Sequence, residues 1–332
     1  MSTSEGRSEV SAGDRARLRR RAALQIGGSL IILVLLFLFL PRDELFAAFR
    51  RLPTVLLVLA IPGYLVLHLW GAFKWRLLVN AASGGLSGRN AVRCYYSGLF
   101  GSTFLPSIVG GDLVRTGLAM RLARSKAGVL LGSLLDRSLD VIALASVAGI
   151  GALLAPRALP PESRQIWLGL AAVVGVVMAL GALVVSTVPG RKLPMRARRI
   201  IARLRQRGRE LARSPGRVAT ALAIGILLQA TLAMLNAWIG TFVGIDVPLH
   251  VWLFVWPMAK VSALVPITQG GIGVREAALA ALFAAFGVPA VLAVAAGLAF
   301  QGVVIGGGLV AGMIAFLLGR IDRIEKSPTV ES

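Results

Sequence analysis

The chain is poor in the residues from which many catalytic and metal sites are built. Its 332 residues include one cysteine, Cys94, and two histidines, His68 and His250. A single cysteine excludes a disulfide within the chain, and two histidines argue against a multi-ligand metal site. Charged residues make up 15% of the chain and hydrophobic residues 56%, whereas a typical soluble protein has about 25% charged residues. This composition excludes a soluble enzyme and a disordered protein.

Acidic residues are also scarce. The chain has 15 Asp and Glu against 36 Lys and Arg, which gives a formal charge of +21. Such an excess in a soluble protein would suggest nucleic-acid binding. Here the basic residues lie between long apolar runs, so the sequence predicts a membrane protein without a nucleic-acid partner. The chain has no Gly-x-Ser-x-Gly, His-Glu-x-x-His or Cys-x-x-Cys motif, and we expect neither catalytic residues nor a metal or other cofactor.

Long apolar runs predict helices that cross the membrane. About 20 apolar residues in a helix cross the roughly 30 Å hydrocarbon core of a bilayer. Six runs meet this requirement, the last of them after a predicted break at 287–289: 22–40, 54–73, 127–155, 166–188, 218–245 and 289–319. The second run is followed by Lys74, Trp75 and Arg76, which are typical of the membrane surface.

Two further apolar stretches, 94–111 and 247–274, cannot be continuous helices because prolines and paired glycines interrupt them. We expect both to be re-entrant hairpins, because irregular backbone at membrane depth needs protein or water around it. The predicted fold is an all-α polytopic membrane protein with six full transmembrane helices and two re-entrant helical hairpins.

The distribution of basic residues predicts the orientation. With a cytoplasmic amino terminus, 28 Lys and Arg lie on the cytoplasmic side and five on the other side, and the remaining three lie within membrane segments. This asymmetry follows the positive-inside rule, so we expect a multi-pass protein of the cell membrane with both termini in the cytoplasm. The predicted units are a basic tail (1–21), a first membrane repeat (22–160), a second membrane repeat (161–320) and a second tail (321–332).

The second repeat contains a strongly basic cytoplasmic loop, 189–217. We expect it to lie on the anionic lipid of the inner leaflet. An arm that binds RNA or a protein partner is the alternative.

A motif of the form Pro-x3-Gly-Gly-x3-Arg occurs twice, at 106–115 and 266–275. Three predicted spans lie between the two copies, so the two halves have opposite orientations. This is the inverted repeat of many transporters, in which paired interrupted segments mark the substrate site. Glycine amides at the start of a helix bind anions, and a nearby arginine binds phosphate in a bidentate manner. The candidate substrate-binding residues of the two motifs are Gly110, Gly111, Asp112 and Arg115, and Gly270, Gly271, Arg275 and Glu276.

These motifs have a second interpretation. Paired glycines also allow two helices to pack closely, and Arg115 can extend to the cytoplasmic surface. Asp112 has no counterpart in the second motif and is expected to cap the helix or to pair with Arg115.

The third span contains three charges, Asp136, Arg137 and Asp140, at depths of about 15 to 21 Å from its cytoplasmic end. Charges at this depth are costly and by default indicate function. With Lys260, Arg275 and Glu276 they form a set of zero net charge. One interpretation is a polar cavity that accepts a headgroup or protons. The other is a buried ion-pair lock that joins this span to a neighbouring helix, with Lys260 or Arg275 as candidate partners.

At these positions the chain resembles the lysylphosphatidylglycerol synthase transmembrane domain family, also called flippase-like domain proteins. The resemblance rests on 106–115, 136–140 and 266–276, and it covers about 22–320. Two residues depart from the family pattern: Asp136 replaces a common Glu, and Gln301 stands near the place of an arginine.

The resemblance implies translocation of a phosphate-containing lipid. That lipid is aminoacylated phosphatidylglycerol, another phospholipid or a polyprenyl-phosphate-linked glycan. The soluble aminoacyl-transferase domain of the best-known relatives is not expected here, and a separate soluble synthase or glycosyltransferase is an expected partner. A membrane transferase for lipid-linked sugar or aminoacyl groups and a membrane anchor for a soluble enzyme are the alternative functions.

Overall fold

The structure is a computed structural model, and all the regular structure that it describes is helical. It describes residues 40–105, 108–154, 213–262 and 271–324, some positions within 27–38 and 202–210, and residues 165 and 268. The helices in these ranges, numbered in chain order, are α1 (Arg42–Arg50), α2 (Thr54–Ala81), α3 (Gly88–Phe104), α4 (Ile108–Leu122), α5 (Lys126–Leu154), α6 (Pro215–Val243), α7 (Leu249–Ser262), α8 (Val274–Ala284) and α9 (Ala290–Ile324).

Four of these helices, α2, α5, α6 and α9, are long and apolar enough to cross a membrane. Large hydrophobic side chains are exposed along them, for example Val55 and Leu59 on α2 and Leu227 on α6, as expected for helix faces that contact lipid. The four helices confirm four predicted spans. The predicted spans 22–40 and 166–188 and the basic loop 189–217 lie almost entirely outside the described residues.

The first interrupted stretch consists of α3 and α4, which pack against each other. The break follows Leu105, whose extended backbone (ψ 138°) is the conformation that a following proline requires. The prediction that Gly110 and Gly111 form the break is wrong, because both lie in the first turn of α4. Their role is close packing: a Cβ on Gly111 would lie 2.5 Å from the carbonyl oxygen of Gly98 on α3.

The second interrupted stretch consists of α7 and α8. Pro257 lies inside α7 without ending it, so the prediction that this proline interrupts the stretch is wrong. Gly271 and Gly273 have positive φ angles of 78° and 88°, which glycine adopts without strain, and they form the turn that starts α8. The predicted break at 287–289 is confirmed, because Gly287 (φ 72°) separates α8 from α9.

The four long helices form the centre of the molecule. Helix α2 contacts α5, α6 and α9, and α6 contacts α5 and α9. Each pair of shorter helices packs on a long helix of the other half of the chain: α3 lies against α9, and α7 lies against α5. This arrangement brings residues of the two interrupted stretches to the same interior space.

A charged cavity as candidate functional site

A cavity of about 280 Å³ lies at the centre of the molecule, between the two halves of the chain. Seven of the predicted site residues line it: Gly111, Asp112, Arg115, Arg137, Asp140, Lys260 and Arg275. Residues that are separated by up to 164 positions in sequence thus meet in one space, which is lined by charged, aromatic and aliphatic side chains.

Six side chains on one side of the cavity form a closed ring of alternating charge, which we call the charged ring: Lys74, Asp136, Arg115, Asp112, Arg137 and Asp140. The buried half of the ring is centred on Lys74 of α2. Its Nζ lies 2.9 Å from Asp136 Oδ1 and 2.5 Å from Asp140 Oδ1. The opposite oxygen of Asp136, Oδ2, accepts a hydrogen bond of 3.1 Å from Arg115 Nη1.

The other half of the ring is closer to the open space of the cavity. Arg115 Nη2 lies 3.2 Å from Asp112 Oδ1, and Asp112 Oδ2 accepts hydrogen bonds from Arg137. Arg137 Nη1 lies 3.9 Å from Asp140 Oδ2, which closes the ring. The exposed fraction is 45% for the Arg137 side chain and 22% for Asp112, whereas Lys74 and Asp136 are each only 1% exposed.

Helix geometry explains how the ring closes. Asp136 and Asp140 are four residues apart on α5, so both carboxylates lie on the face that meets α2. Each buried charge has a partner of opposite sign, which offsets the large cost of removing it from water.

Arg115 is held by aromatic rings as well as by carboxylates. Its guanidinium carbon lies 4.8 Å from the ring centre of Trp75 and 5.0 Å from that of Tyr95. These cation–π contacts fix the plane of the guanidinium. Its Nε is buried and has no hydrogen-bond partner among the described residues. Arg115 lines the cavity and keeps one N–H donor without a described partner.

Arg275 occupies the corresponding position in the second half of the chain. It donates hydrogen bonds to Glu276 Oε1 from Nε (3.0 Å) and Nη2 (2.5 Å), and Nη2 also donates to Gln301 Oε1 at 2.9 Å. Its guanidinium carbon lies 5.5 Å from the ring centre of Trp256 and 5.9 Å from that of Phe300. Both motif arginines are thus held between carboxylates and aromatic rings.

Glu276 also caps helix α8. Its Oε2 accepts a hydrogen bond of 2.6 Å from the amide of Gly273, and the residue is fully buried. A carboxylate therefore already occupies the positive end of this helix. The Gly273 amide is thus bonded to a side chain of the protein itself, and anion binding by the amides of Gly270 and Gly271 stays a prediction.

Lys260 differs from the other cations of the cavity. Its Nζ donates to Gln229 Oε1 at 2.9 Å, and among the described residues no carboxylate lies within ion-pair distance of it. Five cations around the cavity therefore face four carboxylates: Lys74, Arg115, Arg137, Lys260 and Arg275 against Asp112, Asp136, Asp140 and Glu276. The set of six charges expected from the sequence was neutral, but it lacked Lys74, Arg115 and Asp112. The nine described charges have a net charge of +1.

The other predicted residues that the structure describes do not line the cavity. Gly110 packs against Leu105, and Asp136 and Glu276 are buried behind the arginines that they bind. Gly271 belongs to the turn before α8, and Gly270 lies outside the described residues.

One expectation about location and one about ion pairing are corrected. The sequence placed Lys74 and Trp75 at the membrane surface, but they are only 1% and 0% exposed. The charges of α5 pair with Lys74, Arg115 and Asp112, not with Lys260 or Arg275. Asp112 pairs with Arg115, as expected.

Sequence reasoning missed several residues that line the cavity: Tyr64, Lys74, Tyr95, Gln229 and Trp256. The one available signal was Lys74, a cation at the end of an apolar run that continues as helix for seven further residues. Tyr64 and Gln229 lie in apolar helices and carry no charge that would distinguish them.

The charged ring predicts the effect of removing one of its members. Lys74→Met leaves Asp136 and Asp140 without their shared cation, and the loss of one partner from a buried ion pair costs about 3–5 kcal/mol. We expect a clear fall in the Tm of the protein in detergent. The charge-balanced variant Lys74→Met with Asp140→Asn keeps the remaining pairs intact and recovers most of the loss. Equal Tm values for the single and double variants would contradict the ring.

A comparison with known protein families matches most of the chain. The family model described as "Lysylphosphatidylglycerol synthase TM region" matches residues 25–312, which includes every element of the cavity. A search of curated proteins found no match. Four helices able to cross a membrane and a family defined by a membrane region identify a multi-pass integral membrane protein linked to lipid modification or translocation. The chain belongs to the lysylphosphatidylglycerol synthase TM region family.

Proposed function

We propose that the protein is a flippase that translocates a phosphate-containing lipid between the two leaflets of the membrane. The candidate lipids are aminoacylated phosphatidylglycerol, another phospholipid and a polyprenyl-phosphate-linked glycan. One observation supports this proposal above the others: Arg115, Lys260 and Arg275, from both interrupted stretches, line a single cavity. Cations that converge on one space from opposite sides are suited to bind a phosphate.

Unused hydrogen-bond donors support recognition of an anion. Arg115 Nε has no partner among the described residues, and the ammonium of Lys260, with three protons, makes one described hydrogen bond. A phosphodiester oxygen accepts from such donors without removing an existing ion pair. The substrate-binding residues that we propose are those predicted from the sequence. We add Lys74, Gln229 and Gln301 as side chains that hold the charged residues of this set in place.

The packing of the helices supports an inverted repeat, with α2 to α5 in one half and α6 to α9 in the other. The contact of α3 with α9 has its counterpart in the contact of α7 with α5. Likewise, the contact of α2 with α9 corresponds to that of α6 with α5, and α2 and α6 contact each other. In transporters, such a repeat allows the site to open to either side of the membrane in turn.

The state of the carboxylates favours transport without bond making. Asp112, Asp136, Asp140 and Glu276 are all paired with Lys or Arg. A carboxylate whose oxygens already contact Lys or Arg is less available to take a proton from a substrate. A transferase would instead form product from purified protein and a lipid-linked donor, and an anchor subunit would retain a soluble synthase or glycosyltransferase through 189–217.

Transport is tested with the protein reconstituted into vesicles that contain fluorescent phosphatidylglycerol. The variant Arg275→Gln with Glu276→Gln removes the arginine, keeps the net charge, and retains a side chain that caps α8. Hydrogen bonds to a charged group contribute about 1.5–3 kcal/mol, so we expect transport to fall about 10- to 100-fold.

The matched control for this test is Arg121→Gln, which removes an exposed arginine from α4 and leaves transport unchanged. A double variant that moves lipid as fast as the unmodified protein would contradict a role for Arg275. If the unmodified protein is no faster than protein-free vesicles, the flippase function itself is wrong.

Topology supplies a second test, for which the lone buried Cys94 offers a convenient background. In a Cys94→Ala protein, we expect Ser87→Cys, Lys126→Cys and Arg213→Cys to react with an impermeant maleimide from the cytoplasmic side. Asp246→Cys is expected to react only from the opposite side, since α6 lies between 213 and 246. Labelling of 87 and 126 from different sides would contradict the α3–α4 hairpin, and labelling of 213 and 246 from the same side would contradict the crossing by α6.

A further inference from the structure

Among the described residues, the cavity is surrounded by one more positive charge than negative charge. All three cations of the charged ring are paired with its three carboxylates, and Arg275 is paired with Glu276. These eight charges cancel. Lys260 is then the unbalanced charge, because its described partner, Gln229, is neutral.

The position of this charge makes it important for a ligand. Lys260 and Gln229 both line the cavity, as do five residues of the charged ring. Gln229 is only 3% exposed, so its carbonyl oxygen has exchanged water for the lysine ammonium. Burying an ammonium without a counter-ion is energetically unfavourable. This electrostatic cost is offset when a ligand brings one negative charge into the same space.

We infer that the cavity selects lipids whose headgroup carries a single net negative charge, which Lys260 neutralises. The inference rests on the proposed lipid site and narrows its substrate class. A simple phosphodiester such as phosphatidylglycerol has this charge. Zwitterionic phosphatidylcholine brings a cation with its phosphate, and lysylphosphatidylglycerol, with two ammonium groups and one phosphate, is itself a net cation.

The chemistry of the other cavity residues supports selection by net charge. A positively charged group in the lipid headgroup needs a carboxylate partner. Every described carboxylate of the cavity already binds Lys or Arg. A second positive charge from the ligand would therefore compete with Lys74, Arg115 or Arg137 for its partner. In a partly buried site this competition is weakly screened by solvent.

The decisive variant is Gln229→Glu. It changes the side-chain amide, whose oxygen lies 2.9 Å from Lys260 Nζ, into a carboxylate of nearly the same shape. Lys260 thereby gains a permanent counter-ion, while the lysine and the packing are retained. A second variant, Lys260→Gln, removes the ammonium itself. Both variants lower the net charge of the cavity by one, so both test whether that charge determines lipid selectivity.

Binding is measured with dihexanoyl phosphatidylglycerol and dihexanoyl phosphatidylcholine, which have the same chains and phosphodiester but differ in net charge. The readout is the Kd of purified protein in detergent, from the concentration dependence of its Tm. We expect the unmodified protein to prefer phosphatidylglycerol by about tenfold, the change that one charge contact of about 1.4 kcal/mol produces. Gln229→Glu and Lys260→Gln are each expected to reduce the preference to near onefold.

The control is Arg50→Gln, which also lowers the protein charge by one but at an exposed position at the end of α1. It is expected to keep the tenfold preference, whereas nonspecific attraction of anionic lipid to a basic protein would respond equally to all three variants. An unmodified protein without preference, or a preference that survives both cavity variants, would overturn the inference. Selective binding without vesicle transport would leave the inference standing and contradict the flippase proposal.

Discussion

The burial of charge in an apolar bundle is the constraint on which the site depends. Lys74 and Asp136 are almost completely buried, and each is stable there only because a partner of opposite sign lies within about 3 Å. The closed ring extends this pairing to α4, so that α2, α4 and α5 are fixed relative to one another. Arg115 is thereby held at the cavity wall with one donor still unused. The same pairs that allow the charges to be buried also give the cavity its shape and polarity.

The second half of the chain buries its charged side chains with fewer ion pairs. Arg275 is bound by Glu276 and rests near two aromatic rings, as Arg115 does. Here the carboxylate also caps α8 through the Gly273 amide. Lys260 is bound only by an amide among its described contacts. The two sides of the cavity therefore differ in kind: one is a neutral, tightly paired network, and the other retains a positive charge that is available to a ligand.

Sequence predicted the features that composition and backbone chemistry determine. Prolines and glycines located the two interrupted stretches, and the three charges at 136–140 located the polar interior. The break was assigned to Pro106 together with Gly110 and Gly111, but α3 ends at Phe104 and both glycines lie within α4, where they allow close packing. Lys74 was missed because a lysine after an apolar run is equally typical of a membrane surface. Lys74 is buried because it pairs with Asp136 and Asp140 of α5. The sequence around Lys74 does not indicate that α5 packs there.

The central claim is that a lipid phosphate binds between the two halves of the chain, at the unbalanced charge. The most direct measurement is an experimental structure of the protein in a bilayer that contains phosphatidylglycerol. The account predicts phosphate density in the central cavity, within hydrogen-bond distance of Lys260 Nζ and with Arg115 or Arg275 as a further donor. A cavity without lipid density, in a structure that shows ordered lipid only on the outer surface of the helices, would contradict it.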